Sequence, residues 1–318
     1  MAQLQVLRRR IRSISNTRQT TKAMQLVDAT KLRRAQAAAR RSHDYIEATL
    51  ATLQRLLSTE IDQSELRLWR RTKIQTVAII AIASDRGLAG AYNHNIAARL
   101  GQQVAKYQAA GIAVKVVAIG AQTVRMAKHL HDVTVLESIT GRATDPGIAD
   151  VRPLAEKLRE EYAAGNIDAI EVIYTHSQSA LKQEVRVSSI WPVKLDENEP
   201  ASRETSPAAE LAFGSDSPRS KDARIDASHS HVQTLLEPSP EEVVSAVLAR
   251  LFDAAVLNAA QEAGVSEHAM RMLAMRNATD NASDLIDTLT LQVNTIRQAD
   301  ITQEIAEITG AAAAIEEQ

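Results

Sequence analysis

The chain has 318 residues, of which 45% are hydrophobic and 24% charged, with a formal net charge of −2. That length supports one or two domains with real cores. With no cysteine, disulfides, thiolate metal sites and thiol redox switching are excluded; no apolar run approaches the ~18–20 residues of a membrane span, and the amino terminus lacks the apolar core of a secretory signal.

Residues 4–57 contain neither proline nor glycine, and Leu4, Leu7, Ile11 and Ile14 follow the 3-4-3 spacing of a coiled-coil seam. Further along, the seam turns small and polar through Thr21, Met24 and Ala35. At 1.5 Å per residue such a helix reaches roughly 80 Å, more than a small domain can enclose. The Arg-rich start also fits a transit peptide, but the pattern continues past fifty residues without a cleavage-like break, so it reads as mature structure. We therefore assign 1–60 to an N-terminal coiled-coil helix.

From 74 to 195 the period changes. Apolar, β-branched runs at Thr76–Ala83, Ile112–Ile119, Ala169–Tyr174 and Glu184–Ile190 alternate with helical patterns near Asn95–Ala110, Ala121–Leu130 and Ile148–Ala164. Such alternation predicts an α/β domain. Within it, Ser84-Asp85-Arg86-Gly87-Leu88-Ala89-Gly90-Ala91-Tyr92-Asn93 joins a strand to a helix, the position where many α/β proteins hold a phosphate. The glycine spacing matches neither Gly-x4-Gly-Lys-[Ser/Thr] nor Gly-x-Gly-x-x-Gly, no lysine follows the glycines, and the helix start at Asn93, His94 and Asn95 offers no basic partner for phosphate. The turn reads as a corner that needs small residues, with Asp85-Arg86 as a local ion pair or a partner contact.

Residues 196–235 are dominated by serine, proline and charge. They hold too little apolar surface to offset ordering entropy and read as a polar, disordered insertion. Deleting 200–230 is expected to leave assembly intact. A second long helix, 239–318, opens with Ser239 at the N-cap, Pro240 at the first helical position and Glu242 three residues after the cap. Gly264 interrupts it at about 1 kcal/mol relative to alanine. Its end returns to a 3-4-3 seam at Ile305, Ile308, Ala312 and Ile315, and Gly310–Ile315 is small and apolar.

Two long helices bracketing one domain pair naturally as antiparallel partners. Charge agrees: residues 1–41 carry eleven Lys/Arg and one acid, Asp28, while 298–318 carry five acids and no base. Exposed pairs contribute only ~0–1 kcal/mol each, so they select register more than they stabilise. His129/His131 and His229/His231 lack a third ligand, which argues against a metal site. No nucleophile motif is present. The basic helix lacks stacking aromatics, which argues against nucleic acid.

Three stretches together resemble the gamma subunit of F-type ATP synthase. They are IRSISNTRQTTKAMQLVDATKLRRAQ (11–36), Ser84–Gly90, and EHAMRMLAMRNATDNASDLI with IRQADITQEIAEI (267–286 and 296–308). The resemblance runs through nearly the whole chain and lapses at 196–235. Ala89 and Ala91 stand where cysteine or glycine is common in that family. It implies an antiparallel coiled coil of the terminal helices with an inserted Rossmann-like α/β foot domain. By the same resemblance the protein is a non-catalytic rotor shaft with no cofactor. Its implied partners are the alpha and beta subunits of the catalytic ring, the epsilon subunit and the membrane c-ring, with no nucleic acid and no direct membrane insertion. The implied location is the cytoplasmic face of the bacterial plasma membrane. Arg297 and Gln298 match a pair that contacts a catch loop of beta. Met24 and Arg271 match coupling positions, as do Thr302, Glu304 and Glu307 near the tip. Asp85, Arg86, Gly87 and Gly90 fall in the foot-domain turn. The alternative reading is an independent nucleotide-dependent α/β enzyme with helical arms.

Overall fold

A computed structural model describes residues 2–57, 74–179, 182–192 and 236–316. The expected insertion at 196–235 lies outside the described residues, as do the side chains of Gly310–Ile315. The elements run α1 (Ala2–Leu57), β1 (Thr76–Ile82), α2 (Tyr92–Ala109), β2 (Ala113–Ile119), α3 (Ala121–Ala127), β3 (Val133–Ile139), α4 (Ile148–Ala163), β4 (Ala169–Ser177), β5 (Gln183–Trp191) and α5 (Pro240–Glu316). Packing divides the chain within both long helices rather than at their ends. One unit holds Met1–Thr30 with Arg271–Gln318, and the other holds Lys31–Met270.

The second unit is built on a five-stranded sheet of order β3-β2-β1-β4-β5, with β5 alone antiparallel. Strand β1, TVAIIAI, is buried from Val77 to Ile82 because both its faces are covered. Ala78, Ile80 and Ile82 join one core with Leu154 and Leu158 of α4, Leu53 of α1, and Leu248, Leu251 and Phe252 of α5. Val77, Ile79 and Ala81 join the other with Ile96, Leu100 and Val104 of α2. Each of the larger of these side chains (Val, Leu, Ile, Phe) contributes about 1.5–3 kcal/mol when fully buried. Trp191 closes the first core, edge-on to Tyr162 at 6.0 Å and to Phe252 at 5.8 Å.

Strand β3 is an addition to the four sequence-predicted runs. It is an edge strand, half-buried, with a register break opposite Val116/Val117, so it lacks a continuous apolar run.

The membrane-span expectation needs correction. An 18-residue stretch of α5 has a mean hydropathy of 1.6 and is 56% buried. The buried apolar side chains of α5 from Val244 to Ala263 join the core under the sheet, so the helix is long and apolar enough to span but is used here as a core helix. The start of α5 is as predicted: Glu242 N–H donates to Ser239 Oγ at 3.2 Å and Val243 N–H to Ser239 O at 3.1 Å.

Gly264 does not interrupt the helix. A Cβ there would stand 2.4 Å from Thr144 O, so glycine is needed for close approach of the loop after β3, and the helix runs through it unbroken.

In the first unit the two helices form an antiparallel pair. Thr21 Oγ1 bonds Thr279 Oγ1 at 2.8 Å, and Arg271 Nη1 lies 3.6 Å from Asp28 Oδ1. Seven residues up α1 correspond to eight down α5, within one residue of a heptad step. Heptad steps counted from Thr21 and Thr279 would bring Ile14 to the level of Ile286, Ile11 to Leu289, Leu7 to Val293 and Leu4 to Ile296. Leu4, Met275, Ala282 and Leu289 are buried, and Leu7, Ile11, Ile14, Ile286, Val293 and Ile296 are half-buried.

Candidate functional site

Two places compete as the working site: the carboxyl edge of the sheet, and the end of α5. In an open parallel sheet, ligands sit at the carboxyl edge where strand order reverses. Here that point lies between β1 and β4. It is filled from within. Ser266 Oγ of α5 donates to Thr175 O at 2.7 Å, Tyr92 Oη donates to Ala263 O at 3.3 Å, and His176 Nδ1 meets Glu262 Oε2 at 2.6 Å.

The glycine turn is sealed in the same way. Asp85 does not pair with Arg86 as the sequence suggested. Its Oδ1 accepts Ala121 N–H at 3.0 Å and Gly141 N–H at 2.9 Å, and its Oδ2 accepts Ala143 N–H at 3.0 Å. The carboxylate therefore sits at the first N–H of α3, where a bound anion would otherwise be held. Ser84, fully buried, is satisfied from within: its N–H donates to Asn93 Oδ1 at 3.1 Å, its hydroxyl has Arg86 O and Asn93 Oδ1 as acceptors, and its carbonyl accepts Gln122 N–H at 3.0 Å. Gly120 must be glycine, with φ 98° and a hypothetical Cβ only 2.0 Å from Ala83 O.

The expectation that the turn itself demands small residues holds only in part. Gly90 has φ 57°, but Gly87 has an ordinary φ and open space around it, while Leu88 takes φ 65° with its side chain 63% exposed. Arg86 points to solvent.

The predicted residues on the terminal helices separate into two groups. Met24 is half-buried in the seam. Arg271, only 7% exposed, faces Asp28, 5% exposed. Arg271 is thus turned inward, toward Asp28. Sequence reasoning missed Asp28 as its partner. The signal was there: Asp28 is the sole acid among eleven bases and lies one heptad from Thr21.

The second group is exposed. Arg297, Gln298, Thr302, Glu304 and Glu307 all face solvent. So do Ile301, Ile305 and Ile308, at 46%, 56% and 69%, where a continued seam was expected. Register explains the difference. In that register Leu4 falls at the level of Ile296, and beyond Gln298 no described helix of this chain covers α5. The same geometry removes the expected pairing of Glu304 and Glu307 with the basic start of α1; Glu307 accepts instead from Gln303 at 2.9 Å.

The family model described as ATP synthase matches residues 3–315. The ATP synthase gamma chain of Exiguobacterium sibiricum is 34% identical over 316 residues, covering 99% of each chain. That of Symbiobacterium thermophilum is 33% identical over 313 residues, covering 98% of this chain and 97% of the relative. Among solved structures, a chain of the Euglena gracilis mitochondrial ATP synthase OSCP/F1/c-ring assembly superposes with a TM-score of 0.61 at 17% identity, covering 99% of this chain and 95% of that one. A chain of the Tetrahymena thermophila mitochondrial ATP synthase central stalk and c-ring gives 0.56 at 20% identity, over 81% and 99%. These two likenesses concern fold, and the full-length sequence identity carries the family. The chain belongs to the ATP synthase gamma-chain family.

Proposed function

We propose that this chain is the non-catalytic central-stalk rotor subunit of an F-type ATP synthase, coupling ion flow through a membrane c-ring to ATP synthesis or hydrolysis on an alpha/beta ring. The observation that carries the reading is the surplus length of α5. Beyond Gln298 it presents Ile301, Ile305 and Ile308 to solvent beside Arg297, Thr302, Glu304 and Glu307. An unpartnered face of that composition needs a protein sleeve. The apolar residues supply a surface that slides without strong directional bonds, and the flanking polar residues supply contacts whose energy depends on angle. Only such differential contacts shift the equilibria of otherwise identical sites.

The second unit supports the role. Torque must pass from the sheet-bearing unit to α5, and polar staples join them: Arg159 of α4 to Asp253, with the guanidinium also over the Phe252 ring, and His176 of β4 to Glu262. Within the paired helices, Met24 and Arg271 act in coupling through the stiffness and register of the seam. The further partners in this reading are the epsilon subunit and the c-ring, and the location is the cytoplasmic face of a bacterial plasma membrane, reached through the complex. The domain scheme follows function: N-terminal helix 1–60, foot 74–195, insertion 196–235 and C-terminal helix 239–318.

The test exploits the absence of native cysteine. A single Ile308→Cys, oxidised to a cysteine introduced in beta of the reconstituted complex, is expected to stop multisite ATP turnover and to restore it on reduction. Unchanged turnover with the crosslink verified would overturn the rotor reading. No observation favours the independent enzyme, because Asp85 and α5 fill the places a nucleotide would need.

A further inference from the structure

Within the sheet-bearing unit, Arg41 and Tyr45 of α1, Ile148 and Arg152 of α4, and Arg250 and Leu257 of α5 line a cavity of about 330 Å³. Three features set it apart. Its three guanidiniums come from three different helices, so the tertiary fold, not a local charge run, brings them together. Among the described residues none of the three has an ion-pair or hydrogen-bond partner. The carboxylate on the wall, Asp253, is already engaged by Arg159. Three unpaired arginines around one concavity leave a positive potential that calls for an anion.

The apolar part of the cavity decides what kind of anion. Tyr45 is 50% exposed and Ile148 41% exposed, and both line the cavity. Inorganic phosphate would satisfy the guanidiniums and leave both side chains wet. The volume lies at the bottom of the ~300–1,000 Å³ range of small-molecule sites, room for one or two side chains of a partner. Tyrosine and arginine together around a pocket are the composition of a protein docking hot spot. Asp85 and the carboxyl edge are on different loops and take no part.

We infer that this cavity docks an acidic segment of another subunit of the complex, one carrying at least two carboxylates beside an apolar side chain. The apolar group enters between Tyr45, Ile148 and Leu257, and the carboxylates reach Arg41, Arg152 and Arg250 in paired N–H···O bonds. The inference rests on the proposed role in a multisubunit assembly.

The test compares wild type with Arg41→Ala/Arg152→Ala/Arg250→Ala in the full chain, after matching their thermal unfolding. Binding to the remaining purified subunits is measured across a salt series. The triple variant is expected to bind at least about tenfold more weakly and to lose most of its salt dependence. If wild type assembles and the variant matches it at every salt, the cavity assignment is wrong while the proposed function stands. If wild type itself does not assemble, the proposed function fails. A photoreactive phenylalanine in place of Tyr45, crosslinked in the complex, is expected to capture a peptide of another subunit with two or more carboxylates. Capture of residues 196–235 of the same chain would overturn the inference. So would saturable binding to inorganic phosphate, or to phosphatidylglycerol vesicles, that the triple variant loses.

Discussion

In the sheet-bearing unit, six consecutive residues of β1 are buried. In the paired terminal helices no run of two is, and the seam alternates fully buried Leu4, Met275, Ala282 and Leu289 with half-buried neighbours. A sheet covered on both faces excludes water from a layer, whereas two helices exclude it only from a line. The first unit therefore has little hydrophobic surplus, and polar contacts carry its register: Thr21 with Thr279 and Asp28 with Arg271. A slip of one heptad would separate both pairs. The sheet unit needs no such markers, because the pleat and its alternating cores fix its register. Its polar side chains instead close loops and tie α5 to the sheet.

The largest effects should come where the sheet unit tolerates no added atom. Gly120→Ala combines a left-handed backbone with overlap on Ala83 O and is expected to cost at least about 3 kcal/mol. Gly264→Ala gains up to about 1 kcal/mol of helix propensity but collides with Thr144 O, for a net loss of about 1–2 kcal/mol. Denaturant unfolding measures both. A neutral or stabilising Gly264→Ala would break the claim that the loop after β3 abuts the helix.

In the paired helices Asp28→Ala removes the carboxylate that the buried Arg271 faces. The expected cost is roughly 3 kcal/mol, read as faster hydrogen exchange confined to 4–30 and 271–300. Asp28→Leu/Arg271→Met should recover most of it, since a buried ion pair is often replaceable by apolar groups of similar size. If the double variant is as unstable as the single, the pair is a net source of stability and the register argument weakens.

Much of this contrast was legible in the sequence. The 3-4-3 spacing of Leu4, Leu7, Ile11 and Ile14 marks the seam, and Ser239-Pro240 marks the start of α5. Strands β1, β2 and β4 appear as apolar runs because central strands covered on both faces are largely apolar, and β5, at one edge, is still marked by Val185, Val187 and Ile190. Strand β3, at the other edge, is half-buried and broken by Thr134, Glu137 and Ser138, which hides it. Asp85 is misread for a different reason. Its partners are three backbone N–H groups thirty-six to fifty-eight residues away, and backbone donors leave no mark on side-chain pattern. Ile305 and Ile308 continue the spacing of a seam after the partner helix has ended; periodicity reports what a face is made of, not what covers it.

A pH experiment divides the sheet unit further. Burial, and a 2.5 Å hydrogen bond to Glu171, raise the Tyr107 pKa above that of free tyrosine. The folded state therefore holds this proton more tightly than the unfolded state does. The contribution is complete below about pH 10, the value for unfolded tyrosine, and is lost as pH climbs toward the folded value. Tyr107→Phe should lower stability at neutral pH by about 1–2 kcal/mol and flatten the loss above pH 10. Glu137 behaves oppositely and more weakly. The Lys157 hydrogen bond lowers its pKa, so its contribution is present above the unfolded carboxylate value and fades as pH falls through the folded one. That contribution is small because both side chains are about two-fifths exposed.

The smallest effect on stability should accompany a large effect on coupling. Arg297→Ala and Gln298→Ala remove exposed side chains at the level where α1 ends, so unfolding should move by no more than about 0.5 kcal/mol. If these groups served the helix pair, their loss would slacken the seam near Leu4 and Ile296, and exchange there would accelerate. If they serve a partner, exchange in the isolated chain stays unchanged, while ATP turnover by the reconstituted complex falls or loses its tie to ion flow. The two outcomes exclude one another. The comparison that matters is with Asp28→Ala, which loosens the helix pair directly. Should Arg297→Ala reproduce that exchange pattern, the end of α5 would be an extension of the seam, and the exposed isoleucines would lose their claim to a sleeve.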